Sequence, residues 1–483
     1  MTMEQTIAVA LLLPVGGAAL VALSRRLANL REAISIATAV ALFAAVASLY
    51  PAVQNGASPS LRLFEMFPGL AIAFRIEPFG LLFALIASSL WIVSSIYSVG
   101  YLRGNDERHQ TRFYVCFALA LASTIGVAFS ANLLTLFLFY ELLTLATYPL
   151  VTHHGDEEAR RGGRTYLGLL LFTSTALLLP AVVAVWLIAG TLDFMPGGIL
   201  SGKVGSAGAT VLLVLFMFGI GKAALMPFHR WLPAAMVAPT PVSALLHAVA
   251  VVKAGVFTVV KVVVYTFGLG ATTADFQWVP YVSGFTIIAA SIVALRADNL
   301  KRRLAYSTVS QLSYIVLAVT LLTPLSVIGA ALHVAAHAFG KITLFFAAGA
   351  VYTAAHKTEV SQLDGVGRRM PWTFAAFGVA SLSMIGLPPT VGLLSKWYMV
   401  AGAYQAQHWL ALAVIVVSTL LNAAYFLPIV YRAFFRSPAA GEPAHGEAPF
   451  TMVAALVVTA AATVLLFFFN DVAMTLARGL VRG

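Results

Sequence analysis

The most informative stretch of the chain reads GKAALMPFHRWLPAAMVAPTPVSALLHAVAVVKAG, residues 221–255. It is apolar enough to enter a membrane, yet it contains Lys222 and Lys253 and is interrupted by Pro227 and Pro233. Proline removes a backbone donor and clashes with the preceding turn, so a helix here should be discontinuous. Charged side chains beside a break in an apolar helix indicate a path for ions rather than a simple anchor.

The rest of the 483 residues is equally apolar, with 60% hydrophobic and 10% charged residues. The lipid bilayer is therefore the solvent for most of the chain. The net charge of +11 does not indicate a nucleic-acid partner, because the basic residues lie in short gaps and form no patch with interleaved aromatic residues. A single cysteine, Cys116, excludes disulfide frameworks and cysteine-ligated clusters within this chain, and no metal or cofactor site is predicted.

Apolar runs of about 20 residues, long enough to cross a bilayer, recur along the whole chain. They predict an all-α polytopic membrane protein with about fourteen transmembrane helices. A short surface hairpin is expected at 61–76, where residues alternate around Pro68 and Gly69. The predicted spans are 6–24, 34–53, 77–100, 112–130, 132–152, 165–190, 208–228, 241–267, 279–296, 301–322, 325–355, 373–400, 408–434 and 449–470.

The distribution of the 29 Lys and Arg predicts the orientation, since positive residues favour the cytoplasmic side of short loops. Gaps after odd-numbered spans hold nineteen of them, whereas gaps after even-numbered spans and the C-terminal tail hold five. Both termini are therefore expected on the non-cytoplasmic side of a bacterial inner membrane.

The remaining basic residues all lie inside predicted spans, as Lys222, Lys253, Lys261, Lys341 and Lys396. Glu141 is the one acid well inside a span. A charge at the bilayer centre costs about 2.5–3.5 kcal/mol, so these residues indicate transport. At a rise of 1.5 Å per residue, Glu141, Lys222, Lys253 and His337 reach a similar depth.

A row of such groups is typical of a proton relay. Burial disfavours the charged form of a lysine and a nearby carboxylate favours it, so its proton becomes movable near neutral pH. His333, His337 and Lys341 are spaced i, i+4, i+8 on one helix face. Two positions have alternative interpretations: Lys261 is close enough to a helix end to extend to the surface, and His247 is placed to donate to a carbonyl at the break.

The chain also shows an internal symmetry. Gly386, Pro388 and Pro389 interrupt the twelfth span shortly before Lys396, as the prolines interrupt the seventh. Two broken helices five positions apart predict an inverted repeat, because an odd offset reverses membrane direction. The expected units are 1–111 with spans 1–3 and the hairpin, 112–267 with spans 4–8, 279–434 with spans 9–13, and 449–483 with span 14 and the tail.

Four segments resemble the proton-conducting subunits shared by Mrp-type cation/proton antiporters and respiratory complex I. They are residues 221–255, FLFYELLTLATYPL (137–150), HVAAHAFGKITLFFAAG (333–349) and MIGLPPTVGLLSKW (384–397). Lysine at 396 and the end of the chain after span 14 make the pattern most similar to the Mrp D subunit. Chains of complex I-like and hydrogenase-linked assemblies share the same pattern.

The resemblance implies functional roles for individual residues. It assigns Glu141 as the essential glutamate and Lys222 as its partner. It assigns the terminal group to Lys396 and the central relay to Lys253, His333, His337 and Lys341. The implied function is proton conduction in a cation/proton antiporter, with the membrane arm of a redox-driven proton pump as the alternative. The implied partners are other membrane subunits, protons and Na⁺ or K⁺, with the choice of cation left open by the sequence.

Overall fold

The computed structural model describes residues 2–67, 69–271, 273–438 and 445–481. In this part of the chain the fold is almost entirely helical, and eleven helices are long and apolar enough to cross a bilayer. The all-α membrane class is thus confirmed. The number fourteen stays a prediction, because α7, α10, α12 and α13 fall outside that set of eleven. The principal helices are α1 (Met3–Leu23), α2 (Ala28–Ala47), α3 (Pro78–Gly104), α4 (Gln110–Phe129), α5 (Leu133–Val151), α6 (Glu157–Ala189), α7 (Ser206–Gly219), α8 (Thr240–Phe267), α9 (Trp278–Arg296), α10 (Leu300–Thr320), α11 (Pro324–Ala355), α12 (Pro371–Ile385), α13 (Val391–Gln405), α14 (Trp409–Phe435), α15 (Phe450–Phe468) and α16 (Asp471–Gly479).

The predicted hairpin is confirmed between α2 and α3. Strand β1 (Ser60–Phe67) pairs antiparallel with β2 (Leu70–Arg75). Its second strand continues past Arg75 into Glu77, the residue that precedes α3. The hairpin therefore fixes charged residues at one end of the helical bundle.

The break after α7 begins earlier than the prolines predict. The helix ends at Gly219, and Lys222 lies in the short 3₁₀ turn Gly221–Ala223. The indole N–H of Trp231 donates to the Gly221 carbonyl at 2.9 Å, which satisfies a carbonyl that the lost helix leaves free. The sequence favours Trp231 as an interfacial anchor, as it does the other tryptophans near span ends. That expectation is wrong, because Trp231 is fully buried.

The break in the twelfth span lies where the sequence places it. Helix α12 ends at Ile385, Gly386 follows with φ +90°, and α13 begins at Val391. Glycine is suited to this position because it adopts positive φ without steric cost.

Helices α8 and α11 form the centre of the bundle. Every residue of the most apolar window of α8 and 94% of that of α11 is buried, whereas the outer helices expose apolar side chains. Helix α8 also contains two wider π-helical segments, Leu245–Val249 and Val262–Phe267, which no sequence pattern predicted. The helices that carry most of the predicted relay are thus the ones removed from lipid.

Candidate functional site

All the histidines and lysines predicted for the site lie inside the protein. The set comprises Lys222, His247, Lys253, Lys261, His333, His337, Lys341 and Lys396, each with at most 5% of its surface exposed. Both carboxyl oxygens of Glu141 are shielded as well. None of these side chains extends to the headgroup region, so their charges must be balanced by protein groups or by water.

Lys222 is held by helix α5. Its ammonium donates to the Tyr140 carbonyl at 2.7 Å and to Thr144 Oγ1 at 2.6 Å, and it lies 3.2 Å from the centre of the Tyr140 ring. The Tyr140 hydroxyl in turn accepts from the Lys222 backbone N–H at 3.0 Å. Helix α8 packs closely on the same turn, because a Cβ at Gly255 would lie only 2.3 Å from the Lys222 carbonyl carbon.

Glu141 and Lys222 do not touch, although the sequence predicts that they form a pair. Neither carboxyl oxygen of Glu141 has a hydrogen-bond partner, whereas the Lys222 ammonium is occupied by Tyr140 and Thr144. The carboxylate still acts on the lysine electrostatically. The coupling therefore operates across a gap rather than through a direct ion pair.

The central contact joins α8 to α11. Lys253 Nζ contacts His337 Nδ1, and the other ring nitrogen of His337 is buried without a partner. The ring of His333 lies 6.2 Å from that of His337, one helical turn away. The structure thus places two histidines and a lysine side by side in the buried centre.

From His333 the polar contacts continue toward α13. His333 Nε2 lies 2.9 Å from Gln311 Oε1, and His333 Nδ1 lies 2.9 Å from Ser395 Oγ. Ser395 directly precedes Lys396 in α13. Its hydroxyl therefore joins His333 to α13, the helix that carries the terminal lysine.

Lys396 reaches back across the helix break. Its ammonium donates to the Ile385 carbonyl at 2.8 Å and to Thr419 Oγ1 at 3.2 Å. Ile385 is the last residue of α12, so its carbonyl is free because the helix ends there. The break between α12 and α13 therefore supplies a hydrogen-bond acceptor for Lys396.

A second branch begins at Lys341. Its ammonium donates to Ser307 Oγ at 2.8 Å, and Ser307 accepts from the Tyr425 hydroxyl at 3.0 Å. Tyr425 contacts Asn422, whose amide donates at 3.3 Å to the Met384 carbonyl near the end of α12. The amide of Gln311 donates to the same carbonyl at 3.4 Å. Both branches therefore converge on the end of α12.

The two residues with alternative interpretations have different surroundings. His247 lies in the first π segment of α8, and neither ring nitrogen has a partner, so the predicted donation to a carbonyl is absent. Lys261 does not extend to the surface. It is buried, it forms an ion pair with Glu77, and it lies 4.0 Å from the Phe194 ring centre. The surface interpretation of Lys261 is therefore wrong.

Sequence reasoning missed the neutral groups that complete the site. They are Tyr140, Thr144, Ser307, Gln311, Ser395, Thr419, Asn422 and Tyr425, and the acid Glu77 near Lys261. One of them was accessible from helical spacing, since Thr144 follows Glu141 by three residues and so lies on the same helix face. Among the residues that the structure describes, no cluster of His, Cys, Asp or Glu is suited to hold a metal ion.

The chain is similar to several known membrane proteins. Residues 130–422 match the family model described as NADH:quinone oxidoreductase/Mrp antiporter, TM. The chain is 33% identical to NADH-quinone oxidoreductase subunit N of Desulforudis audaxviator, over 84% of this chain and 83% of that one. It is 31% identical to a component of a probable K(+)/H(+) antiporter of Rhizobium meliloti, over 87% of this chain and 42% of that one.

A solved structure has the same fold. A chain of the Mrp complex from Dietzia sp. DQ12-45-1b superposes with a TM-score of 0.86 over 99% of this chain and 96% of that one. The sequence identity is 21%, so this likeness concerns the fold. The multi-pass helical architecture is shared along the whole chain.

Proposed function

The chain belongs to the NADH:quinone oxidoreductase/Mrp antiporter family of membrane proteins, and on that premise we propose that it is the proton-translocating subunit of a multisubunit cation/proton antiporter. The cation is Na⁺ or K⁺, and the partners are the other membrane subunits of the assembly. Within the family, the lysine at 396 is consistent with the Mrp D type.

One observation carries this proposal. Titratable side chains at the centre of the bundle lie in a row: Lys253 contacts His337, the ring of His333 lies 6.2 Å from that of His337, and His333 contacts Ser395, the residue before Lys396. Buried lysines that served only as structural elements would need acids to neutralise them, and the described surroundings offer Glu141 at a distance and Glu77 at Lys261. A path for protons explains why so many bases are kept out of water.

In the proposed mechanism a proton enters from the cytoplasm near the α7 break and binds Lys222, whose charge state depends on Glu141. It then moves through Lys253 and the histidines of α11 to Lys396, which releases it on the other side. When the charge of a neighbouring membrane protein in the assembly changes, the balance between Glu141 and Lys222 changes with it and gates the step. All steps are reversible, and the driving force sets the direction.

The proposal includes the orientation and the repeat. The excess of Lys and Arg in gaps after odd-numbered spans supports an inner-membrane location with both termini on the non-cytoplasmic side. The breaks after α7 and α12, each beside a buried lysine, support an inverted repeat of 112–267 and 279–434. The segments 1–111 and 449–483 flank these two units.

A second candidate function has its own support. The 33% identity with a component of an NADH-quinone oxidoreductase, over most of both chains, favours a membrane arm of a complex I-like assembly. In that case the same residues conduct protons while electrons flow in other subunits. Purification with native partners distinguishes the two: small membrane subunits support the antiporter, and hydrophilic iron–sulfur subunits support the redox pump.

Replacement of the first two groups of the path tests the proton-conducting role. In inverted membrane vesicles containing the complete complex, respiration acidifies the lumen, and added Na⁺ or K⁺ dissipates the pH gradient through the antiporter. We expect Lys222→Ala and Glu141→Ala to assemble but to lower this cation-dependent dissipation by at least about 100-fold, as loss of an essential proton-transfer group does. A pH-sensitive dye measures the rate.

The matched control is Lys203→Ala, because Lys203 is an exposed loop lysine whose ammonium donates to the Ala189 carbonyl at the end of α6. It should retain the wild-type rate. Equal amounts of co-purified partner subunits establish that each variant assembles. Wild-type transport in an assembled Lys222→Ala or Glu141→Ala complex contradicts the assignment.

A further inference from the structure

A second cluster of titratable side chains lies outside the central path, where α3 and α5 end. Glu107 follows α3, and His153 and His154 follow α5. Glu107 Oε2 lies 3.6 Å from His154 Nδ1 and 4.0 Å from His153 Nε2. Side-chain exposure falls from 36% for His154 to 11% for Glu107 and 2% for His153. The cluster thus leads from the surface into the protein.

The ring of His153 packs edge-on against that of Phe113, with 6.0 Å between the ring centres. Neither of its ring nitrogens has a hydrogen-bond partner, although the ring is buried, and only its backbone carbonyl accepts from Arg112, at 2.7 Å. Leaving a buried polar group unpaired costs about 1–3 kcal/mol. A ring with one free N–H and one free lone pair is able to accept a proton on one nitrogen and release another.

Burial favours the neutral forms of both His153 and Glu107. Burial, together with the positive charge of Arg112, lowers the pKa of His153 to about 4. Burial raises the pKa of the Glu107 carboxyl, against the opposing effect of His154 and Lys301. The other groups that face His153 are His154, His109 and the backbone of Arg108.

Lys301, at the start of α10, connects this cluster to the central path. Its ammonium donates to the Ala238 carbonyl at 2.6 Å, two residues before α8 begins. Glu107 and Glu158 are the acids whose charges act on Lys301. The positive charge of Lys301 in turn acts electrostatically on His247, as do the charges of Lys341 and Lys253. Lys301 therefore interacts electrostatically with both Glu107 of the outer cluster and His247, the buried histidine without a hydrogen-bond partner.

Two hydroxyl groups lie on the elements between these points. The Thr240 hydroxyl, in the first turn of α8, donates to the Tyr101 hydroxyl of α3 at 3.5 Å. Glu107 acts on Tyr101 electrostatically, and Thr240 lies between Ala238 and His247 in the chain. Hydroxyl groups both accept and donate protons, so these two suit an intermediate position.

We propose that Glu107, His153 and His154 form a cytoplasmic proton-collecting site that supplies His247 through Lys301. This inference rests on the proposed function and orientation, and it adds an entry separate from the α7 break. A proton from water binds Glu107 directly, or binds His154 and passes to Glu107, and so neutralises the carboxylate. Lys301 then loses one of the two negative charges, those of Glu107 and Glu158, that stabilise its ammonium. An N–H bond of Lys301 breaks, and a proton passes inward to His247. Glu107 returns its proton to Lys301, and the carboxylate is restored.

Reverse antiport tests this inference, because it draws protons from the cytoplasmic face. Inverted vesicles with the complete complex are loaded with Na⁺ and K⁺ and diluted into medium without either, so that cation efflux drives protons from the medium into the lumen. We expect Glu107→Gln and His154→Ala to slow luminal acidification about tenfold near pH 8.5, where protons are scarce, and less than about twofold near pH 6.5. A high concentration of imidazole should restore the rate near pH 8.5.

The matched control is Glu157→Gln, since Glu157 is an exposed cytoplasmic acid paired with Arg164. It should match wild type at both pH values. Wild-type rates at both pH values in Glu107→Gln and His154→Ala overturn the inference, as does an equal loss at both pH values without rescue by imidazole, which indicates a structural role. If the wild-type complex shows no cation-driven acidification, the proposed function itself fails.

Discussion

The two broken helices hold their lysines in different ways. Lys222 lies within its break, in the turn Gly221–Ala223, and its ammonium is held by the neighbouring helix α5. Lys396 lies in the intact helix α13 and reaches back to the free carbonyl at the end of α12. The same residue type beside the same kind of break is therefore supported by different groups.

The two lysines also differ in the charges that act on them. Glu141 acts on Lys222, whereas among the described residues no carboxylate acts on Lys396. The charge of Lys222 therefore depends on a second titratable group, and that of Lys396 depends on a carbonyl and a hydroxyl group. A two-group unit is suited to gating by an outside charge, and a single lysine is suited to the end of a path.

The largest expected effect comes from exchanging each lysine for glutamate. A carboxylate at 222 would face Glu141, the Tyr140 carbonyl and the Tyr140 ring, which all repel it. We expect Lys222→Glu to lower cation-dependent transport by more than about 100-fold, or about 2.7 kcal/mol. A protonated carboxyl group at 396 is able to donate to the Ile385 carbonyl. Lys396→Glu should therefore stay within about tenfold of wild type.

Transport rates in inverted vesicles, normalised to assembled complex, measure both variants. Equal losses in the two variants would show that the halves are functionally equivalent and that the acid near Lys222 does not matter.

A smaller effect is expected from adding one methyl group beside each break. At Gly255 a Cβ would lie within 2.6 Å of three backbone atoms of Lys222 and Ala223, so helix α8 or the turn must move. Such overpacking costs about 1–3 kcal/mol. At Gly386 the nearest atom is Lys396 Cδ at 2.6 Å, which a flexible side chain can withdraw, and positive φ adds about 1–2 kcal/mol. Gly255→Ala should therefore lower the thermal stability of the complex more than Gly386→Ala.

The control is Gly168→Ala in α6, where a Cβ would meet nothing within 4 Å. Alanine is the better helix former, so stability should be unchanged or slightly higher. Scanning fluorimetry of the purified complex measures Tm for all three. A larger decrease in Tm for Gly386→Ala than for Gly255→Ala would mean that the packing is more rigid at the break after α12 than at the break after α7.

The residues of the site that the sequence predicts are the charged ones. Hydrocarbon penalises a buried Lys or Glu strongly enough that Lys222, Lys253 and Glu141 stand out in apolar runs without any knowledge of the fold. The spans are visible for the same reason, and the observed bounds of α5, Leu133–Val151, differ by one residue at each end from the prediction of 132–152.

The missing part consists of neutral groups and of contacts between distant segments. Ser307 and Thr419 carry no charge and enter a bilayer helix at far lower cost than Lys or Glu, so nothing marks them in an apolar run. The contact between Lys261 and Glu77 joins residues 184 positions apart, and the burial of Trp231 depends on the turn it covers. Such features follow from tertiary packing, which apolar runs do not specify.

The smallest expected effect distinguishes the hydroxyl groups that hold the two lysines. Thr144 Oγ1 lies 2.6 Å from the Lys222 ammonium, and Thr419 Oγ1 lies 3.2 Å from that of Lys396. Valine has nearly the same shape and removes the hydroxyl group, while each lysine keeps its carbonyl partner. A hydrogen bond to a charged group contributes about 1.5–3 kcal/mol, so we expect Thr144→Val to lower transport by about 10-fold. The longer bond of Thr419, which is partly exposed, should contribute less, with a loss of transport rate below about threefold.

Initial rates of the two variants in the same vesicle preparation provide the measurement. Because the shorter bond belongs to the lysine that Glu141 controls, a greater loss for Thr419→Val would mean that release at Lys396, and not the charge state of Lys222, limits the rate.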